Sequence, residues 1–350
     1  MRHRLAIIGC GGMEGTHATG MDLLADRLDI VATVDPVLER AEAAAARFPG
    51  ARAAAKHTEV LDDIDAALVV TPHHTHYEIG TDLLAAGKHV LMEKPLALSE
   101  SECLDLIEHA ERVDRTLMVA YPMRYHPLVV ELKRLLDANQ IGEVFQISIW
   151  TEQRTQYADG HWAHSAATLG GGQLFSHGCH YIDLLLWFLG DPVSGTHVGT
   201  RRGTPWLEGE GTSNVSLEFA NGALGYHFGT WGARGTKLGY SIHAHGTEAM
   251  LEADLRAGKL RIYTRSGVKT LSRTDQHRKY VDRELGQFLD CIEGKAPVPT
   301  DGPTSLQGLR VIWRLYQAER ERVVADLTGL GFGDPWRSPG LDRLPVPAGR

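Results

Sequence analysis

The chain of 350 residues has few cysteines, and the four present (Cys10, Cys103, Cys179 and Cys291) form no C-x-x-C pair. Their wide spacing excludes a disulfide framework and a paired-cysteine zinc site, and suits reduced thiols in a cytoplasmic protein. No H-E-x-x-H motif occurs, so no recognisable ligand spacing marks a metal, and none is expected. No apolar run approaches the roughly 20 residues of a membrane helix. The opening "MRHRLAIIGCGG" starts like a secretion signal, but its apolar run stops at Gly9 and reads as a first strand. No basic stripe interrupts the net charge of -8, which argues against a nucleic-acid partner held through its phosphates. Internal repeats and low-complexity tracts are also missing, apart from the alanine-rich stretch 41–46. With 43% hydrophobic and 23% charged residues, what remains is a soluble globular chain long enough for two domains.

The two halves differ in rhythm. Up to about residue 120, the continuous apolar runs Leu5–Ile8, Ile30–Val34, Ala66–Val70, His89–Met92 and Leu117–Ala120 alternate with helical patterns. That alternation predicts an α/β domain over 1–122, a doubly wound parallel sheet covered on both faces. Asp35-Pro36 predicts an N-cap with proline at the first helical position, Gly87 a helix end, and Ser99 with Glu102 a capping box. From about Val144, strand-like runs such as "EVFQISIWT", "NVSLEFA" and "LGYSIHAHG" dominate, and Asn221-Gly222 is a strong hairpin signal. A second α/β domain over 123–330 follows, with an open, mostly antiparallel sheet and helices near 178–189, 281–293 and 303–322. The last helix is expected to pack back on the first domain, and 331–350 to be an irregular tail.

"AIIGCGGMEGTHA" follows the first strand and opens the first helix. Gly9 suits a tight turn, Gly11 lets backbone approach a pyrophosphate, and Gly12 and Met13 complete the loop. The strict fingerprint has a third glycine where this chain has Glu14. Asp35, at the end of the second strand, is placed to hydrogen-bond a ribose diol and to repel a 2′-phosphate, which favours NAD over NADP. The same carboxylate can also cap a helix. Ligands of such sheets bind beyond the carboxyl ends of the strands. Glu93 and Lys94 lie at one such end, where a partly desolvated lysine can give or take a proton. A salt bridge with Glu93, or a plain surface lysine, is the alternative, and Pro95 can adopt a cis bond.

"GCGGM" at 9–13, "TPHHTH" at 71–76, "AAGKHVLMEKPLAL" at 85–98, "MRYHP" at 123–127 and "GGGQLFSHGCHYIDLLLWFLG" at 170–190 occur in this order. In these motifs the chain resembles the Gfo/Idh/MocA family, and "HGTEAMLEAD" at 245–254 and the segment 300–319 extend the likeness along the chain. The resemblance implies a Rossmann domain followed by an open-sheet α/β domain, and an NAD-dependent oxidoreductase acting on the CH–OH group of a sugar, polyol or glycoside. It implies that Lys94 lies beside the nicotinamide and that His180 is the general acid/base. It places Thr71, Pro72, His73, His76 and Glu93 around the cofactor, with His76 near the nicotinamide ribose. A homodimer or homotetramer built on the exposed sheet face is the expected assembly. Two family residues are replaced: an aspartate four positions before His180 is Ser176, and an asparagine is His73.

The chemistry stands on its own grounds as well. Removing hydride from a carbinol requires removing the hydroxyl proton, which suits imidazole, and an ammonium can stabilise the alkoxide. Asp183 can orient His180, contact substrate, or pair inside the second domain; His177 can compensate for Ser176. Arg124, Tyr125, Arg154, Trp162 and His164 complete the substrate-facing candidates, although aromatic residues also serve packing. Two other functions fit the same architecture. Transient oxidation with recycled NAD would make the protein a glycoside lyase or hydrolase, and loss of catalysis would leave an NAD-binding regulator.

Overall fold

Residues 2–274 and 280–337 are described by the computed structural model of the chain. The apolar runs of the first half form β1 (His3–Ile8), β2 (Leu28–Val34), β4 (Ala66–Val69), β5 (His89–Glu93) and β6 (Leu117–Ala120), and Arg52–Ala54 adds a short β3. All pair in parallel, in the order β3-β2-β1-β4-β5-β6. Their continuous apolar composition follows from burial on both faces: Leu5, Ala6 and Ile7 of β1 and all of Ala66–Val69 are fully enclosed. Each fully buried leucine, isoleucine or valine side chain among them contributes about 1.5–3 kcal/mol. Helices α1 (Glu14–Ala18), α2 (Leu38–Ala45), α3 (His76–Ala85) and α4 (Glu100–Arg112) connect the strands. Gly87, at φ 71, closes the turn after α3. Ser99 and Glu102 form the reciprocal capping box of α4, at 3.3 and 3.1 Å.

The helix after Asp35 starts later than expected. It begins at Leu38, with Val37 as its N-cap, so Pro36 is not its first residue. The Asp35 carboxylate instead accepts the Val37 amide at 2.9 Å with one oxygen and the Cys10 amide at 3.0 Å with the other. This side chain closes a turn and ties the end of β2 to the loop after β1.

The second sheet contains β7 (Val144–Glu152), β8 (Pro192–Thr200), β9 (Thr212–Phe219), β10 (Leu224–Thr230), β11 (Tyr240–Gly246), β12 (Met250–Asp254), β13 (Lys259–Thr264), β14 (Gly267–Arg273) and β15 (Ala325–Asp326). Its order is β14-β13-β12-β11-β7-β10-β9-β8-β15, and all pairs are antiparallel except β7 with β10. In β9, Ser213, Val215, Leu217 and Phe219 are buried while the residues between them are not, the period of a strand with one enclosed face. Helix α5 (Pro127–Asp137) lies against β12, β13 and β14. After the short α6 (Ala166–Leu169), α7 (Cys179–Leu189) lies against β10. Among the described residues no helix is long and apolar enough to cross a membrane.

The chain divides into two compact units, Met1–Pro122 with Lys279–Leu306, and Met123–Arg278 with Gln307–Arg350. The first unit is therefore not confined to 1–122. Helix α8 (Val281–Ile292) joins it, because Arg27 donates to Asp290 and Glu293 at 2.8 and 2.9 Å. The backbone of Thr300 accepts the Val119 amide at 2.8 Å, and Tyr121 meets Ser305 at 3.1 Å. Helix α9 (Gly302–Glu321) begins in the first unit, which runs through Leu306, and continues in the second. Of the expected tail, residues 331–337 are held in turns, with the Gln307 amide donating to the Gly331 carbonyl at 3.2 Å; residues 338–350 lie outside the described residues.

The hairpin at Asn221-Gly222 joins β9 to β10, with Gly222 at φ 80 and the Asn221 side chain accepting the Ala223 amide at 3.0 Å. A Cβ at that φ is disfavoured, so Gly222→Ala should lower unfolding free energy by about 1 kcal/mol, read as a shift of the urea midpoint at unchanged slope.

Candidate active site

In the first unit, the glycine loop is shaped by contact on one side and openness on the other. Gly9 has φ 98, donates to the Val34 carbonyl at 2.8 Å, and runs so close to β4 that a Cβ would lie 2.6 Å from the Val70 oxygen. Gly11 and Gly12 have nothing within 4 Å of where a Cβ would stand. This open cradle, next to the buried carboxylate of Asp35, fits a dinucleotide: each Asp35 oxygen accepts one backbone amide and keeps lone-pair capacity for a ribose hydroxyl. Glu14, in place of the third glycine, forms an ion pair with Arg47, and Met13 is the N-cap of α1.

The strand ends β4 and β5 are linked by a buried histidine. His76 has its Nδ1 2.8 Å from the Pro95 carbonyl and its Nε2 3.0 Å from the Thr71 carbonyl. Burial pushes its pKa down, against the pull of those two carbonyls. The ring is fully enclosed and ties the loop after β4 to the backbone after β5. His73 is buried beside it, ring centroids 5.8 Å apart, and Thr71 receives a 2.8 Å hydrogen bond from Thr75. Pro72 precedes the turn His73–Thr75.

Lys94 is half-buried at the end of β5, and its bond to Pro95 is cis. Glu93 does not reach toward solvent. Its Oε1 lies 2.7 Å from Nε2 of His17 on α1, and its Oε2 accepts the Lys94 backbone amide at 3.1 Å. His17 was not among the sequence candidates; its place eight residues after Gly9, on the helix opened by the loop, was the available signal.

In the second unit, two residues expected to face substrate are committed to each other. Arg124 donates to both oxygens of Asp183, at 2.8 and 2.7 Å, and its guanidinium lies over the rings of Trp187 and Phe332. Both partners are buried, and burial pushes the Asp183 carboxyl up while the guanidinium pulls it down. Of the readings open for Asp183, pairing inside its own unit is the one observed. The reason is electrostatic: an enclosed carboxylate needs a hydrogen-bonded cation.

The segment before His180 is a π-helical turn, Leu174–Gly178, which holds Ser176 and His177. Such turns place an extra residue in a helix and recur at functional sites. Glu210 anchors it: its carboxylate accepts the Leu174 amide at 2.9 Å and the Tyr316 hydroxyl at 2.8 Å, and its carbonyl accepts the Gln173 amide at 2.7 Å. The glycine run allows this approach, since a Cβ on Gly172 would overlap the Glu210 carboxylate. His180 is buried in the first turn of α7, its ring 6.1 Å from His177 and 6.2 Å from Tyr181.

His177 is locked in one tautomer. The Gln173 amide nitrogen lies 3.2 Å from its Nδ1, and Nε2 lies 3.3 Å from the Tyr240 hydroxyl, which donates to Gln153. Because the phenol proton goes to Gln153, Nε2 of His177 is the donor to Tyr240, and Nδ1 accepts from Gln173. Burial pushes the Tyr240 hydroxyl up to about 12.

Trp162 packs with Tyr157 and Trp206 against Ala163, Leu169, Leu207 and Trp231. His164 lies 5.2 Å from the Trp206 ring, with Nε2 3.3 Å from the Tyr157 carbonyl. Tyr125 is half-buried and Arg154 exposed, with a backbone bridge to Gly232. None of the four cysteines is in a disulfide, and among the described residues no group of three acidic, histidine or cysteine side chains is arranged to hold a metal ion.

Residues 3–121 match a model described as the oxidoreductase family with an NAD-binding Rossmann fold, and residues 129–252 match the GFO/IDH/MocA C-terminal domain. A curated relative, inositol 2-dehydrogenase 2 of Saccharopolyspora erythraea, is 30% identical over 64% of this chain and 65% of its own length. The match thus spans slightly under two thirds of that relative. The scyllo-inositol 2-dehydrogenase (NAD(+)) of Bacillus subtilis is 28% identical over 85% of this chain and 89% of its own. Among solved structures, GenD2 from gentamicin A biosynthesis, in complex with NAD, superposes with a TM-score of 0.82 at 25% identity, covering 93% of this chain and 96% of that one.

Two outcomes follow from the buried groups of the second unit. Arg124→Ala leaves the Asp183 carboxylate enclosed without its cation and should lower unfolding free energy by about 3–5 kcal/mol; joining it to Asp183→Leu should regain most of the urea midpoint. Burial pushes His227 down to about 4, below its unfolded value of about 6.5. The unfolded chain then binds the extra proton between these values, so stability falls as pH drops from about 6.5 toward 4, by roughly 3 kcal/mol for this group. His227→Gln should flatten that part of the thermal-midpoint-against-pH curve.

Proposed function

The chain belongs to the Gfo/Idh/MocA family, and from that premise we propose that it is an NAD-dependent oxidoreductase acting on a carbinol carbon of a sugar, polyol or glycoside. The observation that carries this reading is the glycine loop closed by Asp35: an open backbone face at Gly11 and Gly12 beside a buried carboxylate that anchors both the loop and the following turn. A carboxylate in that place accepts ribose hydroxyls and repels a 2′-phosphate, which supports NAD over NADP. When bound, the nicotinamide supplies the hydride acceptor or donor.

The chain's own residues supply the rest. The half-buried Lys94, at the end of a parallel strand whose neighbouring loop is braced by His76, provides an ammonium for charge developing on the carbinol oxygen. His180 is the proposed acid/base, an imidazole in the first turn of an enclosed helix. With Arg124 and Asp183 bound to each other, neutral groups around the π-helical turn and the aromatic residues Trp162 and His164 are the proposed substrate contacts. The relatives named as inositol dehydrogenases support a polyhydroxylated ring as the substrate class.

The test is reduced-nicotinamide absorbance with NAD or NADP and a panel of inositols, free sugars and glycosides. Turnover with NAD on one class is expected, and Lys94→Ala and His180→Ala should each reduce it by about 10²-fold or more while NADH binding, followed by fluorescence, changes little. Full turnover in both variants would sink this assignment. NADH binding without net reduction, but with cleavage of a glycoside, would replace it by elimination through a recycled cofactor.

A further inference from the structure

The first unit encloses an ionisable pair that hydride transfer does not itself require. His17 and Glu93 meet at 2.7 Å with side-chain exposures of 2% and 8%, although 76 positions separate them. We propose that His17 is a positioning residue for Lys94, acting through Glu93. This rests on the reading of Lys94 as a catalytic group and adds a residue that the mechanism above leaves out.

The carboxylate of Glu93 is a two-sided bridge. One oxygen meets the His17 ring and the other accepts the Lys94 backbone amide at 3.1 Å. In so enclosed a place water cannot readily replace a lost partner, so removing either donor loosens the carboxylate's orientation. The root of Lys94 is thereby fixed on one flank. On the other flank Pro95 is fixed through its carbonyl, which faces Nδ1 of His76. A lysine side chain is long and flexible, so the placement of its ammonium depends on a fixed root. His17 lies on α1, the helix opened by the glycine loop. The bridge therefore joins the loop that would hold the dinucleotide to the residue proposed to work beside it. An error of about 1 Å in such placement can change a rate by roughly 10²-fold.

A merely structural role would hold α1 to β5 without concerning Lys94, and the two roles separate experimentally. Lys94 reactivity toward acetic anhydride is measured by peptide mass spectrometry, relative to the exposed Lys237 and Lys269 in the same sample, in the full chain with and without NADH. His17→Ala should change the relative Lys94 rate by about threefold or more. In His17→Gln, the side-chain amide can still donate to the carboxylate, and the wild-type rate should return. Glu93→Gln, with one oxygen in place of two, should behave like His17→Ala. An unchanged relative rate in His17→Ala overturns the proposal, as does a parallel change at all three lysines. Should His17→Ala not fold, the other two variants decide: a shift in Glu93→Gln with none in His17→Gln supports it, and any other pattern overturns it. Turnover of Lys94→Ala is followed separately, so that retained activity there refutes the catalytic reading of Lys94 while the labelling still reports on its placement.

Discussion

The passage of Gly9 against the end of β4 is the constraint on which the first unit depends. No side chain fits between that residue and the Val70 carbonyl, and its amide is held by the carbonyl of Val34 at the tip of β2. With the loop pinned between two strand ends, the Cys10 amide reaches the Asp35 carboxylate, and the faces of Gly11 and Gly12 are left open. A parallel sheet brings these ends together only because every strand of it runs the same way. The site is thus a by-product of strand order before it is a product of special residues.

Buried charge follows one pattern in both units. His17 meets Glu93, Arg124 meets Asp183, and Glu210 is held by an amide and a phenol. Enclosure makes an unpartnered charge expensive, so such side chains are satisfied within their own unit. They then act as fixtures that orient backbone and neighbouring groups.

Much of the fold was legible because its signals are local. Continuous apolar runs marked β1, β2, β4, β5 and β6, and Ser99 with Glu102 marked the start of α4. The three-residue β3 was not seen, since Arg52–Ala54 at a sheet edge has no burial pattern to display. The start of α2 was misplaced because Asp35 caps a turn and the glycine loop at once, and a residue type does not reveal which amide it will bind. The glycine turn after β1 could be located from its motif. The partnership of Arg124 with Asp183, across 59 positions, and that of His17 with Glu93 could not, because pairing at such separation is decided by topology. The π-helical turn at 174–178 was equally hidden, as its hydrogen-bond period leaves no compositional mark.

The division of the chain also sets an order of assembly during synthesis. The sheet of β1–β6 is complete in sequence by Ala120, yet Val119 donates to Thr300 and Arg27 binds groups on α8. Those partners emerge from the ribosome only after the whole of β7–β14. The nucleotide-binding half is therefore begun first and finished late, while β7–β14 of the second sheet are laid down in between. A fragment ending at Pro122 would carry the motifs of a dinucleotide-binding domain but lack α8 and the strap at Thr300, and would be an incomplete body rather than a separable module.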